Sequence, residues 1–117
     1  MSNKIISKEE AIFFLDMINS SSSPNFVPQF FKRKPYILKA NRESTNYEKF
    51  IEIYQKCMHV LNEQEQTILN KYYGANEERQ TLLPIAQEFK LSKSRIQFLV
   101  YMAERKISYL LQDVLKS

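Results

Sequence analysis

The chain has 117 residues, 44% of them apolar and 26% charged, which suits one domain, or a small domain with an arm, around a modest core. Seventeen Lys and Arg against thirteen Asp and Glu give a net charge of +4, a balance that permits a nucleic-acid partner without requiring one. The single Gly rules out a glycine-rich phosphate cradle, the single Cys a disulfide framework or cysteine-rich zinc site, and the single His argues against a His-based metal cage or catalytic cluster; no metal and no cofactor are expected.

Apolar runs such as Ala11–Leu15 fall far short of the roughly 20 residues that cross a bilayer. The first residues lack the basic, apolar and small-residue order of a secretion signal. A cytoplasmic, reducing setting with no membrane partner is the expectation. Positive charge is denser in the first half: residues 1–61 carry nine basic and six acidic side chains, residues 62–117 eight and seven.

Ser7-Lys8-Glu9-Glu10 has the spacing of a capping box, and a helix is predicted from Lys8 to about Asn19. Its apolar residues, Ala11 to Leu15 with Met17 and Ile18, run nearly all round, so it should be buried on more than one side. Ser20–Ser23 and Pro24 read as a loop, since four serines cannot order themselves by burial. Residues 25–45 predict a short helical turn plus extended segments, because Pro28 and Pro35 interrupt any regular helix. Within them Lys32, Arg33 and Lys34, flanked by Phe30, Phe31 and Tyr36, form either a basic surface loop or a contact for a phosphate backbone.

A second helix is predicted from Thr45 or Asn46 to about Leu61, with Tyr47, Phe50, Ile51, Tyr54, Cys57, Met58 and Leu61 on its apolar side. Cys57 reads as a small core residue and His59 as a surface one. Asn62, with Glu65 three residues on, caps a third helix that ends at Gly74. Residues 75–80 are a polar loop. Thr81 caps a short helix to about Phe89 with Pro84 in its first turn, Lys90-Leu91 make a tight turn, and Ser92 caps a last helix to about Leu115. No strand pattern occurs. The chain therefore reads as all-α, with a helical N-terminal region, 1–60, packed on a C-terminal helix-turn-helix region, 61–117.

The two helices after Thr81 have helix-turn-helix spacing. Ile85, Ala86, Phe89, Leu91, Ile96 and Leu99 supply its core, with Ala86 at the close crossing. In such a motif the first turns of the second helix enter the major groove, and helix N-termini hold phosphates.

The stretch Leu61-Asn62-Glu63-Gln64-Glu65-Gln66-Thr67-Ile68-Leu69-Asn70-Lys71-Tyr72-Tyr73-Gly74 resembles the opening of region 4 of the bacterial sigma-70 family. Thr81-Leu82, Ile85-Ala86, Phe89, Leu91-Ser92, Arg95-Ile96, Leu99, Ala103 and Lys106-Ile107 follow at that family's intervals, so the resemblance covers about residues 61–111. It implies a helix-turn-helix that recognises the promoter −35 element and contacts RNA polymerase. It also implies a transcription regulator from a bacterium or phage; an enzyme is not expected, because no acid–base pair or nucleophile–base pair stands out. The first 60 residues show no match to region 2. Many family members have Arg or Glu at the positions of Lys93 and Ser94 and Gln at that of Phe98; this chain lacks the acidic base-reader and is more apolar at Phe98, Val100, Tyr101 and Met102.

The DNA-contacting candidates are Thr81, Ser92, Lys93, Ser94, Arg95 and Gln97. The alternative is a protein-interaction module that keeps the fold and binds polymerase, a sigma factor or another protein, with Phe98, Tyr101, Met102, Leu110 and Leu111 as its interface. Exposure of Phe98, Tyr101 and Met102 separates the two readings. The stripe Ala103, Ile107, Leu110, Leu111, Val114 and Leu115 further predicts a homodimer through the last helix and the N-terminal half.

Overall fold

The computed structural model describes residues 5–18, 20–26 and 45–116. The described residues are helical, without a strand: α1 Lys8–Met17, α2 Thr45–Cys57, a 3-10 turn Met58–Val60, α3 Glu63–Tyr73, α4 Leu82–Phe89 and α5 Lys93–Lys116. The basic cluster Lys32, Arg33 and Lys34, and the turn and extended segments expected around Pro28 and Pro35, lie outside the described residues. The chain divides into two compact units, one of residues 1–57 with 108–117, the other of residues 58–107. The last turns of α5, expected to belong with the C-terminal region, fall in the first unit.

In the first unit the predicted capping box forms. Ser7 Oγ accepts from the Glu10 amide and the Glu10 carboxylate accepts from the Ser7 amide, both at 3.0 Å. Helix α1 stops at Met17, two residues short of the expected end, and the Ile18 amide closes on Phe14 O. Ala11, Phe14, Leu15 and Met17 are buried while Ile12 and Phe13 are half-buried, so burial is less complete than the all-round apolar pattern suggested. Phe14 stacks on Phe50 of α2 with centroids 4.5 Å apart, and Lys49 Nζ lies 4.7 Å over the Phe13 ring. Tyr47, Phe50, Ile53, Tyr54 and Cys57 form the buried side of α2, with Ile53 in the place expected of the half-buried Ile51. Lys56 reaches Glu10 at 3.3 Å and the Ile5 carbonyl at 3.4 Å.

The serine loop is ordered by hydrogen bonds, which corrects the expectation based on burial alone. Ser23 Oγ donates to Asp16, Asn25 Nδ2 donates to the other oxygen of the same carboxylate, and Ser22 Oγ accepts from Gln112 Nε2 at 2.6 Å. Ser20 and Ser108 hydroxyls meet at 3.2 Å. Leu111 is fully buried and Leu110 half-buried in this unit. Leu111 is thus a core residue, not an exposed interface residue; of the rest of the C-terminal stripe, Ala103 and Ile107 are buried and Leu110, Val114 and Leu115 half-buried.

In the second unit α2 gives way to the 3-10 turn at Met58 instead of continuing to Leu61. Asn62 caps α3 as expected: its side chain accepts from the Glu65 amide at 2.8 Å and Glu65 returns the bond at 2.9 Å. Lys106 Nζ sits 2.8 Å from the same Glu65 oxygen. Gly74 ends α3 at φ 78°, a left-handed conformation that costs glycine nothing. Lys71 bridges Glu77 of the following loop at 3.6 Å and Glu88 of α4 at 3.3 Å. The core is Ile68, Leu69, Tyr73, Ile85, Ala86, Ile96, Val100, Ala103 and Ile107. Among the described residues no helix is long and apolar enough to cross a membrane.

Candidate nucleic-acid interface

Helix α4, the turn at Lys90–Ser92 and the start of α5 build the site. Ile85 and Ala86 on α4 and Ile96 on α5 are buried, as the helix-turn-helix spacing required, and Phe89 and Leu99 are half-buried. Leu91, expected in that core, is 37% exposed. The reason is local. Lys90 takes a left-handed conformation at φ 57° and the Leu91 amide closes on Ala86 O at 3.0 Å, so the chain reverses there and Leu91 rides on the outside of the turn.

Ser92 then starts α5, its Oγ accepting from the Arg95 amide at 3.0 Å. Thr81 stands at the start of α4 in an extended conformation, but its side chain makes no capping hydrogen bond. All six DNA-contacting candidates, Thr81, Ser92, Lys93, Ser94, Arg95 and Gln97, are exposed. Five cluster on the turn and the first turns of α5, and Thr81 opens α4. The helix start offers unsatisfied amides beside two cations, an arrangement that attracts phosphate.

Helix α5 has a second apolar side. At about 100° per residue, Phe98, Met102 and Arg105 fall opposite the buried Ile96, Val100, Ala103 and Ile107, with Tyr101 at their flank. Phe98, Tyr101 and Met102 are 47%, 54% and 36% exposed. The Arg95 guanidinium lies 5.4 Å from the Phe98 centroid, and that of Arg105 lies 5.8 Å from Tyr101 while donating to its hydroxyl at 3.2 Å. The candidate set omits Arg105, although its spacing of four from Tyr101, like that of three between Arg95 and Phe98, is the helical signal for such pairs.

On the buried side, the Tyr73 hydroxyl donates to the Glu104 carboxylate. Burial pushes that carboxyl up to about 7, and the Tyr73 hydrogen bond only partly offsets it. Burial, then the nearby Glu104 charge, raises Tyr72. Among the described residues no group of three or more His, Cys, Asp or Glu could hold a metal.

Two helices joined through a left-handed turn, with the second capped and bearing exposed cations, define a helix-turn-helix. Residues 57–106 match the family described as Sigma-70, region 4. That span agrees to within one residue at each end with the second compact unit, residues 58–107, and overlaps most of the 61–111 expected from the motif intervals. The C-terminal half therefore holds a sigma-region-4-like helix-turn-helix of the DNA-binding kind. No curated protein and no solved structure matches the chain.

Proposed function

We propose that the protein is a transcription regulator that places the first turns of α5 in the major groove of promoter DNA. One observation carries this reading: Lys93, Ser94, Arg95 and Gln97 are exposed together behind the Ser92 cap, within the span that matches sigma-70 region 4. Arg95 and Lys93 are suited to guanine edges or phosphates, Gln97 to adenine, and the amides at the start of α5 to the backbone. Contact with RNA polymerase, and action in the cytoplasm of a bacterium or a phage-infected cell, belong to the same reading.

The test is a mobility-shift titration on duplexes selected from a random pool. Lys93→Ala with Arg95→Ala should weaken binding and relax specificity with helical circular dichroism unchanged, each guanine contact being worth about 1–3 kcal/mol. Undiminished binding by the folded variant would remove α5 as the reader.

The exposure of Phe98, Tyr101 and Met102 favours a second reading, in which the motif binds a protein such as polymerase or a sigma factor. The two readings use adjoining parts of one helix. A pull-down with and without nuclease separates protein partners from DNA-bridged ones.

A further inference from the structure

We infer that the outward side of α5, centred on Phe98, Tyr101 and Met102, is a docking surface for an acidic amphipathic helix of another protein. The inference rests on the protein-binding reading and adds the partner's chemistry. Large side chains at 98, 101, 102 and 105 repeat every three or four residues, the ridge that packs against a second helix. The rings carry their cations with them: Arg95 lies over Phe98, and Arg105 lies over Tyr101 and bonds to its hydroxyl. No acidic residue is exposed between Lys93 and Arg105, because the one acid there, Glu104, is turned to Tyr73. Along α5 the surface is thus an apolar centre with Arg95 and Arg105 on its rings, whose complement is an apolar stripe flanked by Glu or Asp.

Charge also decides against the other occupants. A second copy, whether parallel or antiparallel along α5, sets arginine against arginine, and like charges across an interface select against a partner. Leu110 and Leu111, which would have extended a dimer seam, are half-buried and buried within the chain. Duplex DNA answers the arginines, but a phosphate backbone has no apolar surface to cover two aromatic rings and a methionine.

The test uses the full chain and a displayed library of helical peptides, with leucine fixed at every third and fourth position and each flanking position drawn from Glu or Lys. The wild type should enrich Glu at the flanks. Phe98→Ala with Tyr101→Ala, its helical content verified by circular dichroism, should weaken the selected peptides by about tenfold or more. Arg95→Glu with Arg105→Glu should invert the preference toward Lys, a gain that no misfolded variant could give. Lys-rich or charge-indifferent winners would overturn the acidic partner and leave the protein-binding reading standing. Peptide capture no better by the wild type than by the Phe98→Ala/Tyr101→Ala variant would overturn both. In the same samples, a mass double 14.0 kDa that the alanine variant abolishes would assign the face to a second copy, and a loss of duplex affinity without peptide capture would assign it to DNA; either overturns the inference.

Discussion

Replacing Glu104 by Gln should stabilise the protein at pH 8 and leave it nearly unchanged at pH 5. Glu104 sits on the inner side of α5 with its carboxylate on the Tyr73 hydroxyl, and burial raises its pKa from 4.5 to about 7. A raised carboxyl means that the folded chain holds a proton that the unfolded chain has released. The stabilising contribution is therefore fully present below pH 4.5, declines as pH rises, and is gone above about 7. At about 1.4 kcal/mol per pKa unit, the gap corresponds to roughly 3 kcal/mol, most of it falling between pH 5 and 8. Gln keeps the shape and an acceptor for Tyr73 but cannot ionise. Glu10, held below its usual value of 4.5 by its capping bond to the Ser7 backbone, contributes with the opposite sign, through a change that falls below this range. The informative quantity is thus the difference in denaturant stability between wild type and Glu104→Gln, measured from pH 5 to pH 8. It should move by about 2–3 kcal/mol in favour of the variant as pH rises. Parallel curves, with the variant less stable throughout, would mean that Glu104 is ionised and held by Tyr73 at every pH, and the desolvation argument would fail.

Three further outcomes follow from local geometry. Burial pushes the Cys57 thiol up to about 12, so a thiol reagent at pH 8 should leave the native chain unlabelled and label it fully in denaturant. Lys90 occupies the left-handed region with a side chain, and Lys90→Gly should raise stability by about 0.5–1 kcal/mol in urea titration; a loss would mean that the Lys90 side chain makes a stabilising contact. Ala86 is buried at the helix-turn-helix crossing, where Ala86→Leu should cost about 1–3 kcal/mol by overpacking, and an unchanged melting temperature would contradict the packing described.

Much of the C-terminal motif was legible because its signals are local. Asn62 with Glu65, Gly74 and Ser92 each set a helix boundary through the chemistry of one or two residues, and all three hold in the structure. The serine loop and Leu91 were not legible, for two different reasons. Ser20, Ser22 and Ser23 find partners at Ser108, Gln112 and Asp16, two of them about ninety positions away, and no composition argument supplies such bonds. Leu91 follows the helical spacing of a core residue, but spacing assumes a continuous helix, and the left-handed Lys90 breaks the phase just before it. The exposed candidates Lys93, Ser94, Arg95 and Gln97 could be placed from the Ser92 cap alone, since a cap fixes which residues occupy the first turn.

The apolar content of α5 posed the harder problem, because one helix carried more large side chains than one small core could take. Two solutions were open: bury both sides inside the chain, or leave one outside. The structure divides them by position along the helix. Leu111 joins the core of the first unit and Ile96, Val100, Ala103 and Ile107 that of the second, whereas Phe98, Tyr101 and Met102 stay out. What marks this last group is its company. The buried residues are aliphatic and small enough to interdigitate, while the exposed ones are two aromatics and a methionine, side chains common in contacts between proteins. Each aromatic ring also has an arginine on it, which keeps the apolar surface wetted and charged. The inner side of α5 holds the fold, its first turns carry the cations suited to DNA, and its outer side has the composition common in contacts between proteins.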